Sequence, residues 1–307
     1  MPEIAGQTFP KPGQSMLFDE AFLRKLERIA ILSKRAAAGQ LQGERRSSKR
    51  GQSVEFADFR PYSSGDDFRR IDWNAYARLE RFFIKLFIEE EDLTVHLLVD
   101  TSKSMDWGNP NKLEYAIRSA GALGYIALNG LDRVTITALG DGQNGSVSHF
   151  APHRGKQNAY ALFTFLQALS AGGPANLGRS LQAYAGSTSR PGPLLLLSDL
   201  MDEGWAVGLN ALAARGYEVS VLHILSPDEV NPDISGDLKL LDSETRAEIE
   251  ITGEYDLVER YRNGLAEWQE ELRRFCGARS MHYTPIDTSI PFEELLFARL
   301  RVGGILK

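Results

Sequence analysis

Residues 94–104 read TVHLLVDTSKS, an apolar strand pattern that runs directly into a loop of polar side chains. A second passage of this kind, LLLLSDL, occupies residues 194–200. Short apolar runs bounded by turn-forming residues are typical of strands that are buried on both faces, as they are in parallel sheets. Asp100 follows the first run and Asp199 follows the second. The sequence therefore predicts a carboxylate just beyond each of two buried strands.

Strand and helix patterns alternate on both sides of these passages. Further strands are predicted over residues 133–139, 218–225 and 282–286, and helices over residues 112–128, 158–169, 177–185, 205–215, 254–275 and 291–299. This alternation predicts an α/β fold with a doubly wound, mainly parallel sheet. Residues 238–241 and 248–251 form two short strand-like runs, which predict a hairpin inserted into the series.

The region before residue 92 has a different character. Asp19 can cap a helix, apolar residues recur at helical spacing after it, and Gly39 can end it, so a helix is predicted over residues 19–38. Residues 51–92 are dense in charged and aromatic side chains, and a strand is predicted near residues 83–89. The expected organisation is an N-terminal segment of residues 1–91 and a sheet domain of residues 92–307.

Composition excludes several classes of protein. The 307 residues carry a formal charge of −6, which disfavours a general nucleic-acid binder. A short basic loop is interpreted as exposed to solvent; its residues are Arg45, Arg46, Lys49 and Arg50. Cys276 is the only cysteine, so no intrachain disulfide can form. No apolar run approaches the ~20 residues that span a bilayer, and the first residues do not resemble a secretory signal. The expectation is a soluble cytoplasmic protein without a membrane span.

The polar loop after residue 99 has two interpretations. Because ligands of open α/β sheets lie beyond the carboxyl ends of strands, Asp100 and Asp199 are expected at one edge of the sheet. Together with the hydroxyl groups of Ser102 and Ser104 they offer hard oxygen ligands, which suit Mg²⁺. Alternatively, these side chains only cap the following turn through local hydrogen bonds. The residues alone leave both interpretations open.

A second cluster of charge lies in the passage GDDFRRIDW, residues 65–73. Its carboxylates could form a metal-dependent hydrolase site or a charged docking surface. They could equally pair with arginines in a structural turn, with the aromatic side chains packed on the sheet. The structural interpretation is favoured because no metal-binding histidine accompanies the acids. The residues with a predicted structural or docking role are Tyr62, Gly65, Asp66, Asp67, Arg70, Asp72 and Trp73.

Two resemblances sharpen these expectations. DTSKSM after one strand and SDL after a later strand resemble the metal-ion-dependent adhesion site of von Willebrand factor type A domains. The passage EFADFRPYSSGDDFRRIDWNAYARLERFFIK is similar to the signature of domain-of-unknown-function family 58, and GDLKLLDSETRAEIE resembles a hairpin of that family. The adhesion-site resemblance implies that Mg²⁺ is held by Asp100, Ser102, Ser104 and Asp199.

One position departs from the adhesion-site pattern. A third loop of such sites normally supplies a threonine, and the matching residue in GGPANLG is Ala175, which has no side-chain oxygen. The expected Mg²⁺ site is therefore weakened, and Ala175→Thr is expected to tighten it.

The family resemblance also implies a function and partners. Members of family 58 tend to be encoded beside MoxR-type AAA+ ATPases, with which they help to remodel or activate client proteins. The resulting hypothesis is a non-enzymatic, chaperone-like adaptor that works with such an ATPase and a client. The alternative is a metal-dependent phosphoryl or phosphodiester hydrolase that uses Asp66, Asp67, Asp72 or Asp100. The sequence lacks a phosphate loop ending in Gly-Lys-Ser/Thr and the usual pairing of nucleophile and base.

Overall fold

The computed structural model describes residues 17–32, 54–63, 66, 68, 71–89, 93–140, 148–173, 176–187, 190–232, 236–241, 248–253 and 255–306. The chain divides into two compact units. The larger unit lies within residues 1–32 and 94–307, and the smaller within residues 33–93. The expected division near residue 91 lies close to the end of the smaller unit, but the first helix belongs to the larger unit with the sheet.

Helix α1 spans Glu20–Leu26, so the predicted extent of residues 19–38 is wrong. Asp19 caps it as expected, accepting a hydrogen bond from the Phe22 backbone N–H at 2.7 Å. The helix ends at Leu26, and the apolar residues Ile29 and Ile31 that follow it pack against the core outside the helix. Ile31 forms an antiparallel bridge with Leu306, and the predicted residues 33–38 lie outside the described part of the chain.

The smaller unit contains strand β1 (Val54–Pro61), helix α2 (Trp73–Leu79) and strand β2 (Phe83–Glu89). The predicted strand near residues 83–89 is confirmed, whereas no strand was predicted over β1. The two strands pair antiparallel. Asp72 is the N-cap of α2, and its Oδ1 accepts hydrogen bonds from the backbone N–H groups of Asn74 at 2.9 Å and Ala75 at 3.2 Å. The carboxylate therefore fixes the start of this helix.

Replacing Asp72 by alanine should destabilise α2 by about 1 kcal/mol, since two helix N–H groups lose their acceptor. Amide hydrogen exchange of residues 73–79, followed by mass spectrometry, should accelerate about fivefold. Asp72→Asn is the matched control, because its amide oxygen can still cap the helix. Equal exchange rates in wild type and Asp72→Ala would show that the cap does not stabilise α2.

The described residues of the larger unit form eight strands. They are β3 (Thr94–Asp100), β4 (Arg133–Leu139), β5 (His149–Arg154), β6 (Pro193–Ser198), β7 (Glu218–Leu225), β8 (Gly236–Leu241), β9 (Glu248–Gly253) and β10 (His282–Asp287). Six of them form one sheet in the order β10-β7-β6-β3-β4-β5. Neighbours are parallel except for β4 with β5, which confirms the predicted mainly parallel sheet. Strands β8 and β9 pair antiparallel with each other, as predicted for the inserted hairpin.

Helices cover both faces of this sheet. They are α3 (Lys112–Asn129), α4 (Ala159–Gln167), α5 (Leu177–Ser187), α6 (Trp205–Ala214), the short α7 (Pro227–Val230), α8 (Tyr255–Gly277), α9 (Phe292–Glu294) and α10 (Leu300–Val302), with a π-helical turn at Leu295–Arg299. Successive side chains of β3 enter opposite cores. Leu97 packs in the core that contains α3 and α4, and Leu98 packs in the core that contains α5 and α6. This two-sided burial explains the continuous apolar runs of the central strands.

Among the described residues, no helix combines the length and the apolar character that crossing a bilayer requires.

Candidate functional site

The loop after β3 is organised by Asp100, which is 3% exposed. One oxygen, Oδ1, accepts a hydrogen bond from the Ser102 backbone N–H at 2.9 Å. The other, Oδ2, accepts one from the Ser198 hydroxyl at 2.5 Å. The hydroxyl oxygens of Ser102 and Ser104 lie 3.0 Å apart. The structure thus brings three of the predicted site residues into one local network, with both Asp100 oxygens engaged.

Asp199 lies at the same edge of the sheet, because β3 and β6 are parallel neighbours in which Val99 pairs with Leu197. Its carboxylate is buried, and Oδ1 accepts a hydrogen bond from the Met201 backbone N–H at 3.2 Å. The expectation that the two aspartates lie at one edge of the sheet agrees with this geometry.

Sequence reasoning missed Lys112, the first residue of α3. Its side chain is completely buried, and its Nζ donates to Asp199 Oδ2 at 2.8 Å and to Glu229 Oε1 at 2.5 Å. A lysine in the first turn of a helix opposes the helix dipole, but this weak signal does not identify the carboxylates that it meets.

Glu229 is held in place by its own short helix. Its Oε2 accepts a hydrogen bond from the Ser226 backbone N–H at 2.8 Å, and the Ser226 hydroxyl accepts one from the Glu229 backbone N–H, which completes a capping box. Ser226 directly follows β7. The ammonium of Lys112 therefore links the loops that follow three neighbouring strands, β3, β6 and β7.

Asp100 and Lys112 both have raised pKa values, for different reasons. Burial raises the pKa of Asp100 to about 6, and the negative charge of Asp199 adds to that effect. Burial alone would lower the pKa of Lys112, but the charges of Asp199 and Glu229 outweigh it and raise the pKa. Lys112 is therefore a permanent cation at neutral pH.

His223, on β7, is hydrogen-bonded to the backbone of Asp199. Its Nε2 lies 3.0 Å from the Asp199 carbonyl oxygen, which can only accept, so Nε2 carries the proton. Its Nδ1 then accepts a hydrogen bond from the Tyr283 hydroxyl at 2.7 Å. Burial lowers the pKa of His223 to about 4, which keeps the ring neutral at pH 7.

The side chains present do not fit a divalent cation in the form that the adhesion-site resemblance implies. Asp199 Oδ2 is already bonded to an ammonium, and both oxygens of Asp100 accept hydrogen bonds from the protein. Within the described ranges, no group of three or more His, Cys, Asp or Glu side chains is placed to hold a metal ion. Ala175 lies outside those ranges.

The third loop nevertheless lies beside the first. Backbone hydrogen bonds join Lys103 N–H to the Gly173 oxygen at 3.1 Å and Gly172 N–H to the Thr101 oxygen at 2.9 Å. Around this edge the surface exposes large apolar side chains. Trp107 is 56% exposed and Met201 is 48% exposed. The buried polar centre is thus bordered by loops that carry exposed apolar side chains.

Two acids of the GDDFRRIDW block, Asp66 and Asp72, have local structural roles. Asp66 pairs with Arg60, Oδ1 to Nη2 at 2.9 Å, and accepts the Ser63 backbone N–H at 2.8 Å. The structural interpretation had the aromatic side chains packed on the sheet; Tyr62 is half-buried, whereas Trp73 is 60% exposed. The indole instead makes edge contacts with the rings of Tyr76 and Phe82.

Three predicted residues of the block, Gly65, Asp67 and Arg70, lie outside the described residues. The two acids that are described, Asp66 and Asp72, are engaged by an arginine and by backbone N–H groups. The hydrolase alternative gains no support from this geometry.

Comparison with known proteins places these features in a family. Residues 58–271 match the family described as protein of unknown function DUF58. The chain is 28% identical over 269 residues to the uncharacterized protein Rv1480 of Mycobacterium tuberculosis and to its counterpart Mb1516 of Mycobacterium bovis. Each alignment covers 84% of this chain and 82% of the relative.

Solved structures give weaker matches. The conserved hypothetical protein BatB from Bacteroides thetaiotaomicron aligns with a TM-score of 0.37 and 16% identity, covering 64% of this chain and 90% of that chain. A von Willebrand factor type A protein from Catenulispora acidiphila aligns with a TM-score of 0.34 and 18% identity, covering 47% of this chain and 35% of that chain. The fold of this chain is defined by its own strand order, β10-β7-β6-β3-β4-β5.

Proposed function

Because the chain belongs to the DUF58 family of proteins of unknown function, we propose that it is a non-enzymatic protein-interaction module. The proposed binding surface is the loop edge formed by Lys103, Ser104, Trp107 and Met201. The observation that carries the proposal is the pairing of exposed apolar side chains with a rigid, internally bonded polar centre. A tryptophan on a rigid loop is the kind of residue that dominates the free energy of protein association.

The proposed partner is a MoxR-type AAA+ ATPase, with which the protein acts as an adaptor in the remodelling or activation of a client. The resemblance to family 58 supports this choice.

Replacing Trp107 by alanine should weaken binding to the purified MoxR-type ATPase of the same organism at least about tenfold, which is the effect of losing a typical anchor residue. Biolayer interferometry with immobilised full-length protein, in the presence of ATP and Mg²⁺, measures the affinity.

Val302→Ala is the matched control, because Val302 is 91% exposed on α10. Truncating its side chain should leave the affinity for the ATPase unchanged. If Trp107→Ala and Met201→Ala both bind the ATPase as tightly as wild type, this loop edge is not the contact surface. If wild type does not bind the ATPase at all, the choice of partner is wrong.

A further inference from the structure

We infer that Lys112 is the built-in cation of this site and that the site therefore works without a divalent metal. The inference concerns the chemistry of the buried centre and does not depend on the identity of the partner. It reverses the Mg²⁺ expectation drawn from the sequence.

The position of the ammonium carries the inference. Lys112 Nζ lies 2.8 Å from one oxygen of Asp199, the second carboxylate that the resemblance assigns to the metal. The side chain has no exposed surface, so the ammonium cannot leave for solvent without opening the loops around it. A metal on Asp199 would have to share the carboxylate with this cation. Like charges at such short range in a buried site repel strongly, which disfavours joint occupancy.

The second carboxylate of the lysine strengthens the argument. Glu229 comes from a different loop, and its Oε1 accepts from the same Nζ at 2.5 Å. A metal in such a site would hold loops together by binding oxygens from each of them. Lys112 does this with hydrogen bonds. Its ammonium binds the segments that follow β6 and β7, and the residue itself belongs to the segment that follows β3. An ammonium has three donors, which suits a centre of several carboxylate oxygens.

The remaining predicted ligands are also occupied within the protein. The Asp100 oxygens are bonded to Ser102 N–H and the Ser198 hydroxyl. The Ser102 and Ser104 hydroxyls are bonded to each other. A divalent cation would have to share these oxygens with their present donors in addition to facing the ammonium. The internal network therefore satisfies the groups that the metal would otherwise bind.

Calorimetric titration of the full-length protein with MgCl₂ and MnCl₂ tests the inference. Wild type should give no binding heat, and its melting temperature should be the same in EDTA and in Mg²⁺. Lys112→Ala removes the ammonium and leaves Asp199 and Glu229 free to bind a cation. This variant should bind Mg²⁺ or Mn²⁺ at least about tenfold more tightly than wild type, and the metal should raise its melting temperature.

Lys103→Ala is the matched control, because it removes an exposed positive charge from the same loop without uncovering a buried carboxylate. It should gain no metal binding. Stoichiometric Mg²⁺ binding by wild type, unchanged in Lys112→Ala, would overturn the inference.

A second measurement on wild type keeps the inference falsifiable if Lys112→Ala does not fold. The buried ammonium should give a slowly exchanging signal in spectra of ¹⁵N-lysine-labelled protein, and millimolar Mg²⁺ should leave that signal unshifted. Displacement of the signal by Mg²⁺ would show that the metal takes the place of Lys112.

Discussion

Replacing Lys112 by methionine should lower the free energy of unfolding by about 3 to 5 kcal/mol. Methionine fills a similar volume but leaves Asp199 and Glu229 as buried carboxylates without their counterion. Removing one partner of a buried ion pair costs more than the pair itself contributes, because the remaining charge has lost its hydration and gains nothing in return. Urea unfolding at pH 7 in EDTA measures the change.

The triple variant Lys112→Met, Asp199→Asn, Glu229→Gln should recover much of that loss, since no buried charge of the triad remains. Lys103→Met provides the surface control and should change stability by no more than about 0.5 kcal/mol. A loss below about 1 kcal/mol for Lys112→Met would mean that water or local rearrangement solvates both carboxylates. The buried centre would then contribute little to holding the loops.

Acid should destabilise the protein through two histidines buried within the sheet. Burial lowers the pKa of His96 and of His223 from 6.5 to about 4. Each must take up a proton on unfolding, so stability is fully present above pH 6.5 and is lost as the pH falls through 4. Each histidine accounts for a loss of about 3 kcal/mol over that interval.

Asp100 acts in the opposite direction. Because burial raises its pKa from 3.8 to about 6, its protonation in the folded state increases stability as the pH falls over that interval. Between pH 6 and 4 Asp100 offsets about one of the two protons that the histidines take up on unfolding, so Asp100→Asn should steepen the dependence of stability on pH by about 1 kcal/mol per pH unit. Val302→Ala, at an exposed position without a titratable group, should leave the slope unchanged. Free energies of unfolding from urea titrations at several pH values provide the slopes. Equal slopes for wild type and Asp100→Asn would contradict the raised pKa.

The sheet could be predicted from the sequence because its central strands carry an unmistakable pattern. LLLLSDL is apolar on both faces and too short for a buried helix, so it had to be an interior strand. Strand β1 was missed because VEFADFRP mixes charges with aromatic residues and contains proline. The end of α1 was missed because Ile29 and Leu32 keep helical spacing although both lie beyond the helix, with Ile29 in a turn closed by the bond from its N–H to the Leu26 oxygen. Ile29 is instead buried in the core, and the Leu32 backbone N–H donates a hydrogen bond to the Ile305 oxygen.

The aspartates of the site could be predicted, whereas its cation could not. Asp100 and Asp199 follow their strands directly, so the parallel topology alone brings them to one edge. Lys112 and Glu229 reach that edge through a helix start and a capping box, and their meeting depends on tertiary packing that no local pattern encodes. The resemblance to a metal site directs attention to a cation from solution, whereas the inference above assigns that role to Lys112.

The central place of β3 in the sheet has a consequence for the synthesis of the protein. One neighbour, β4, leaves the ribosome soon after β3, but the other, β6, begins at Pro193. At elongation rates of about 5 to 20 residues per second, the roughly 90 residues between β3 and β6 take about 5 to 20 s to make. Throughout that interval, one hydrogen-bonding edge of a strand that is buried in the folded protein has no partner. Nascent chains of this protein should therefore engage ribosome-associated chaperones until β6 emerges.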